Sequence, residues 1–443
     1  MTDNSESTLV TMGLLKPSTR LPLLTILFLG LPSCADTPGD ATGPTIDSVA
    51  SVTVSPAMVY LQEGDTVRLT ANVISVSGNT LDSPSLTWTS SNPNVASLSP
   101  SNTALAVVVT AEEEGTAVIS ATSEGKSGTS NFDVTPAPID VTGQYYMDVG
   151  GVPRYLLSLN QTGSSVTFSI EQGGMTFTGT GTLDGRSVSL RTGEDPPNLT
   201  FLLDFAAGST SFTGTYAYTN TEQSTNGTIT GSSSPWTTYD VATSGLPVLI
   251  EADYINLGSI EWVSLFRSSS GHDFSDDFEV CRSMKHYFNP ISTVDWSAIQ
   301  IYSPIEGTIV GWSHEGDRGT AITIGSNAFP GVAVTVFHVT LSSPPSIGDT
   351  VAAGDLLGTH HGSGGNSDIA VGIVTLDGYM LVSYFDVMSD DVFQDYEAYG
   401  ASSRSDFIIT AAERDLDPLT CDGEEFSSSG TLQKWFEFQH SDS

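Results

Sequence analysis

The feature that most limits this chain is its rhythm. Short runs rich in Val, Ile, Thr and Tyr recur from residue 48 onward, and clusters of Gly, Ser, Asn and Pro interrupt them. Long apolar patterns with a helical period are scarce. Period-two runs bounded by turn residues read as strands, and many of them at close spacing predict sandwiches and barrels. At 443 residues the chain is long enough for roughly two to four domains. The pattern breaks divide it into three β-domains, at 48–136, 141–235 and 241–423, followed by a tail at 424–443. The fold class is all-β and multidomain.

Charge narrows the partners. Acidic residues number 51 against 14 basic ones, a formal net charge of −37. Phosphate binding needs clustered Lys and Arg, so nucleic acid is excluded. The longest acidic run is only Glu112 to Glu114, so the charge is spread over folded segments. Spread acidity keeps a protein soluble in a salty or cation-rich medium. No D-x-D-x-D-G loop marks a calcium site.

The first residues predict export. Lys16 and Arg20 precede the apolar run LPLLTILFLGLP at 21–32. That run is too short to span a bilayer, which takes roughly 20 residues. A charged flank, a short apolar core and a small residue at the cut are marks of a secretory signal. The run ends Leu31-Pro32-Ser33-Cys34, which resembles a lipobox. The resemblance implies a signal peptide at 1–33, cleavage before Cys34 and a membrane anchor through a lipid on that cysteine. Residues 34–47, small, polar and proline-bearing, read as a flexible tether. Ala35 stands where many Gram-negative lipoproteins carry an inner-membrane retention aspartate, so the outer membrane or cell surface is the expected address.

Residues 48–136 carry Val52-Thr53-Val54-Ser55-Pro56, then Glu63-Gly64-Asp65, then Trp88-Thr89-Ser90-Ser91-Asn92-Pro93-Asn94-Val95-Ala96, then Glu114-Gly115-Thr116-Ala117. These resemble the bacterial immunoglobulin-like group 2 (BIG2) family. The resemblance implies an immunoglobulin-like sandwich with Trp88 in its core, serving as a spacer or adhesion element. Residues 141–235 form about eight short strand-like runs with Gly-containing turns, which predicts a β-meander or small barrel, loosely lipocalin-like. Such a barrel either packs its own interior or holds a small apolar molecule.

All 7 histidines lie beyond residue 241, which directs the search for chemistry to the C-terminal domain. Three stretches stand out there. The first is Gly271-His272-Asp273-Phe274-Ser275-Asp276, an H-x-x-x-D. The second is Tyr302-Ser303-Pro304-Ile305-Glu306-Gly307-Thr308-Ile309-Val310. The third is Val336-Phe337-His338-Val339, followed by Gly348-Asp349-Thr350-Val351-Ala352-Ala353-Gly354-Asp355-Leu356-Leu357-Gly358. Together they resemble the lysostaphin-type (LytM-like, peptidase M23-like) zinc endopeptidases, which cut peptide cross-links in bacterial cell walls. The resemblance implies an antiparallel β-domain of duplicated-hybrid-motif type with a groove. It implies that His272 and Asp276 are zinc ligands and that His338 is catalytic. A catalytic zinc takes three protein ligands and keeps a position for water.

The third ligand should close an H-x-H, and here that stretch reads Asp368-Ile369-Ala370. Alanine cannot bind zinc. Asp368 shares a strand face with Ala370 and is a candidate substitute ligand; His360 and His361 lie on the preceding loop. Loss of a ligand most simply means loss of catalysis with the fold kept for binding. The leading expectation is therefore a cell-surface lipoprotein that binds cell-wall peptidoglycan, peptide or glycan, or regulates a wall hydrolase. The alternatives are an active zinc peptidase with a rewired ligand, and a structural or adhesive surface protein. His286 reads as a core residue. Cys281 and Cys421 are either a disulfide or two buried thiols, and an oxidising compartment favours the bridge.

Overall fold

The computed structural model describes residues 47–99, 105–172, 175–193, 198–219, 224–341, 343, 345–362 and 365–440. The signal segment, Cys34 and nearly all of the tether lie outside the described residues. No helix among the described residues is long and apolar enough to cross a membrane.

Two four-stranded sheets face each other in the first domain. One runs Val49–Ser55, Thr66–Ser75, Ala106–Ala111, Ala96–Leu98; the other runs Met58–Gln62, Lys126–Thr135, Gly115–Ser123, Thr87–Ser90. Strict alternation drives this. In KSGTSNFDVT the side chains from Gly128 to Val134 are buried at every second position. The buried set meets between the sheets, with Trp88, Leu69, Ile119 and Phe132 at its centre.

The second domain is a closed eight-stranded barrel from Gly143–Val149 to Ser224–Ser232. Each strand is antiparallel to the next, and the last closes on the first through Ile229↔Val149 to Ser232↔Tyr146. The interior is filled by Leu157, Phe168, Val188, Phe201, Leu203, Phe212 and Ile229, all buried. The repeated Thr-Gly pairs have a packing cause. A Cβ at Gly231 would come within 2.2 Å of the Phe212 ring, so a bare glycine lets the aromatic lie flat on the strand.

In the third domain a sheet runs through Gly307–His314, Thr320–Ser326, Val332–Thr340, Ser367–Val374, His286–Pro290, Ile260–Ser264 and Trp435–Glu437. Every residue of Ser367–Val374 is buried. Ile369, Val371 and Ile373 enter the main apolar core, while Ala370 packs with Phe337, Met284 and Leu381 on the opposite side. Residues read as a tail are built into this sheet. Trp435–Glu437 pairs with Ile260–Ser264, and Phe438 is buried among Tyr396, Tyr399 and Phe436. The reason is the aromatic load of Trp435, Phe436 and Phe438, which is stabilised only by burial.

Barrel and third domain share backbone hydrogen bonds. Asn226 and Gly227 pair with His314 and Ser313, and Thr323 Oγ1 donates to Gly150 O at 2.7 Å. The approach is close enough that a Cβ at Gly311 would sit 2.1 Å from the Gly151 nitrogen. Arg154 adds an ion pair to Asp277 at 2.8 Å. The immunoglobulin-like module meets the barrel through Arg186 and Glu63 at 2.9 Å.

Candidate functional site

A cleft of about 640 Å³ opens on the third domain, lined by His272, Tyr287, Arg318, His338, Asp368 and Phe426 among others. His360, His361 and Asn366 reach the same space. Four of the histidines thus converge, from three different elements.

At the floor is Asp368, fully buried. Its Oδ2 is 2.6 Å from Lys285 Nζ, and its Oδ1 is 3.2 Å from His338 Nε2. Lys285 is itself buried, and its ammonium lies 4.4 Å from the ring centre of Phe337, 4.8 Å from Phe274 and 4.9 Å from Tyr287. An ammonium among ring faces is favoured by the ring quadrupoles, more so when water is excluded. Burial alone would raise the Asp368 carboxyl, but Lys285 and His338 outweigh it and hold it at about 2. Burial works against the Lys285 charge too, yet Asp368 keeps the ammonium above its ordinary range.

His338 sits at a kink. Its φ is +61°, a left-handed conformation that β-strand residues avoid, and strand pairing shifts register there. The kink turns the ring toward Asp368. Glu315 secures the other side: its Oε2 accepts from the His338 backbone N–H at 3.2 Å and lies 3.1 Å from Nδ1. Burial would lower the imidazole, but Asp368 and Glu315 together raise it to about 10. Two carboxylates beside the ring favour its protonated form, which is poorly suited to act as a general base.

Of the residues expected to bind zinc, the structure gathers His272 and Asp368 at the cleft. Asp276 goes elsewhere. Its Oδ1 accepts from the N–H groups of Phe278 and Glu279 at 2.9 and 2.8 Å, and its Oδ2 from Leu381 N–H at 3.0 Å. It is an anchor for a turn, with its lone pairs directed at the backbone. His272 donates from Nδ1 to Asp273 O at 2.9 Å, and burial pushes its pKa down. Asp368 offers its oxygens to an ammonium and an imidazolium, and a divalent ion there would face that ammonium within contact distance. Among the described residues no three His, Cys, Asp or Glu side chains converge as a metal site. As placed, His272, Asp276 and Asp368 do not form the expected three-ligand zinc set.

Lys285 is the residue that reading by motif passed over. Tyr287 pairs with Asp368 and His286 with Ile369, so the same register carried one residue further sets Lys285 opposite Ala370. A signal was present: a lysine inside Met284-Lys285-His286-Tyr287-Phe288, in a chain with few cations, is an expensive placement unless paired. His286 is core, with Nδ1 2.8 Å from Ser264 O and Nε2 2.9 Å from Ser383 Oγ; burial pushes it down to about 4. Cys281 and Cys421 form a disulfide across 140 residues. It ties the His272 loop to the hairpin Cys421–Asp422 and Glu425–Phe426, which walls the cleft.

The bacterial Ig-like domain (group 2) family matches residues 48–132. No curated protein sequence matches the chain. Among solved structures, domains 4 and 5 of the S-layer protein SbsC align at 20% identity, over 20% of this chain and 53% of that one, with a TM-score of 0.19. The chain thus spans about half of that structure. The Yersinia pseudotuberculosis adhesin InvE aligns at 12% identity over 43% of this chain and 54% of its own, TM-score 0.20. A zinc-containing peptidase from Vibrio cholerae aligns at 9% identity over 67% of this chain and 85% of its own, TM-score 0.23. Scores this low carry no argument about function.

Proposed function

We propose that this protein is a bacterial surface lipoprotein whose C-terminal domain, lysostaphin-like in fold, binds cell-wall peptide in its cleft without cutting it. The observation that carries this reading is the cleft floor. Where the resemblance calls for an H-x-H, Asp368 is neutralised by Lys285 and Ala370 offers no ligand. What remains suits binding. Arg318 lies exposed on the rim with no ion-pair partner among the described residues, and wall peptides carry free carboxylates. Tyr287 and Asn366 add polar contacts, and Phe426 an apolar wall. The Cys34 lipid and the 34–47 tether would fix the protein to the membrane surface, and the immunoglobulin-like module would serve as spacer. A wall hydrolase is the other partner this cleft could take.

Co-sedimentation of the purified chain with isolated peptidoglycan tests the reading. The expected result is binding that weakens several-fold in Arg318→Ala, with no soluble wall fragments released with or without added zinc. Fragment release would instead favour a peptidase. No co-sedimentation would remove wall binding altogether.

A further inference from the structure

Three observations meet at one point. Ala370 stands where the resemblance places a metal-ligating histidine. Lys285 lies opposite it when the strand register is continued. The Lys285 ammonium rests 2.6 Å from Asp368 and inside a cage of Phe274, Tyr287 and Phe337. We propose that the ammonium group of Lys285 is a permanent, covalently attached substitute for the metal ion of the lysostaphin-type fold.

The substitution is chemically coherent. A metal site needs its cation to keep inward-facing carboxylates from repelling one another and unfolding the floor. A lysine on the neighbouring strand supplies one positive charge against Asp368, the carboxylate that stands in the H-x-H stretch. It supplies no open coordination position, so it can neither bind nor activate water. His338 completes the arrangement, drawing the second oxygen of Asp368 at 3.2 Å. The aromatic cage is the other half of the exchange. Rings stabilise an ammonium, but they donate no lone pair to a divalent metal. The domain would therefore keep its fold in a chelated medium. This proposal rests on reading the domain as lysostaphin-like, and is independent of what the cleft binds.

The test uses the full chain with two probes, zinc chloride and ethylammonium chloride. Two readouts apply: bound zinc by atomic spectroscopy, and the thermal midpoint. Wild type should carry no stoichiometric zinc after dialysis against it. Its midpoint should be unmoved by either cation or by chelator. Lys285→Ala vacates the place, so it should melt lower and recover by roughly 5–10 °C when either cation is present at many times its dissociation constant. Lys285→Ala with Asp368→Asn removes the charge requirement, should remain folded, and should ignore both cations. Stoichiometric zinc in wild type would overturn the proposal. So would a Lys285→Ala variant that is folded and indifferent to both cations. If Lys285→Ala does not fold alone, its refolding in ethylammonium decides: recovery supports the proposal, and failure while the double variant folds overturns it. Wall co-sedimentation is scored separately, so loss of one reading leaves the other standing.

Discussion

The barrel and the cleft domain are both antiparallel β-structures joined by shared hydrogen bonds, yet they solve burial in opposite ways. The barrel fills its interior with Leu157, Phe168, Val188, Phe201, Phe205 and Phe212. The third domain has an apolar core too, but beside it buries Asp368, Lys285 and His286. An apolar interior is stabilised by area alone and is indifferent to partner identity within a similar volume. A buried ion is stable only with its counter-ion in place, so each such residue dictates another. The barrel can drift in sequence; the cleft floor can change only as a set.

The largest effect expected is on that set. Lys285→Met keeps the stem and removes the charge, leaving Asp368 uncompensated, at a cost of about 3–5 kcal/mol in chemical denaturation. Pairing it with Asp368→Leu should recover most of the loss. If the single and double variants are equally unstable, the cleft behaves like the barrel and the contrast is broken.

Loss of the Cys281–Cys421 bridge should cost about 2–5 kcal/mol, judged by a denaturant midpoint with and without reductant, because a 140-residue loop is released. The barrel has no such staple among the described residues. Its counterpart test is Leu203→Ala, expected to cost about 3 kcal/mol through an unfilled cavity, with the same loss at every pH from 5 to 9.

The pH profile sharpens the contrast further. His338 is raised above its ordinary 6.5, so its contribution is complete below that value and disappears as pH climbs through about 10. Asp368 is depressed from 3.8, so its contribution is present above that value and is lost as pH falls through about 2. Both effects arise from the same cluster, with Glu315 and Asp368 facing the ring, His360 nearby, and Lys285 on the far oxygen of Asp368. His338→Gln should flatten the alkaline limb, by on the order of 2 kcal/mol after solvent screening. A wild-type alkaline limb that survives His338→Gln would assign it to other groups.

The smallest effect is at the other junction. Arg186→Ala should cost under about 1 kcal/mol, since Arg186 and Glu63 form a partly exposed pair. Small-angle scattering is the better readout there, because the immunoglobulin-like module meets the barrel by surface contacts and not by a shared sheet.

Much of the fold was legible in order along the chain. Period-two runs marked the strands, and Trp88 within W-x-S-S-N-P marked the sandwich core. Gly-bounded runs at even spacing marked eight barrel strands. Closure of the barrel was legible only as an alternative to an open meander, because pairing of Ser224–Ser232 with Gly143–Val149 joins segments far apart in sequence. Docking of Trp435 and Phe436 was suggested by their aromatic load, but the strand they pair with, Ile260–Ser264, was not legible, for the same reason. The motifs pointed to His272 and His338, and the structure places both at the cleft. A carboxylate four residues after a histidine serves equally as a metal ligand or as a turn anchor, and the structure places Asp276 on backbone N–H groups.

What the sequence determined by itself is therefore local: strand period, turn chemistry and the excess of acid. These follow from each residue and those beside it. What only the tertiary structure decided is the pairing of Asp368 with Lys285 and with His338, which lie 83 and 30 positions before it (368 − 285 and 368 − 338). A buried charge is fixed by the field of its surroundings, and that field exists only once the strands have met.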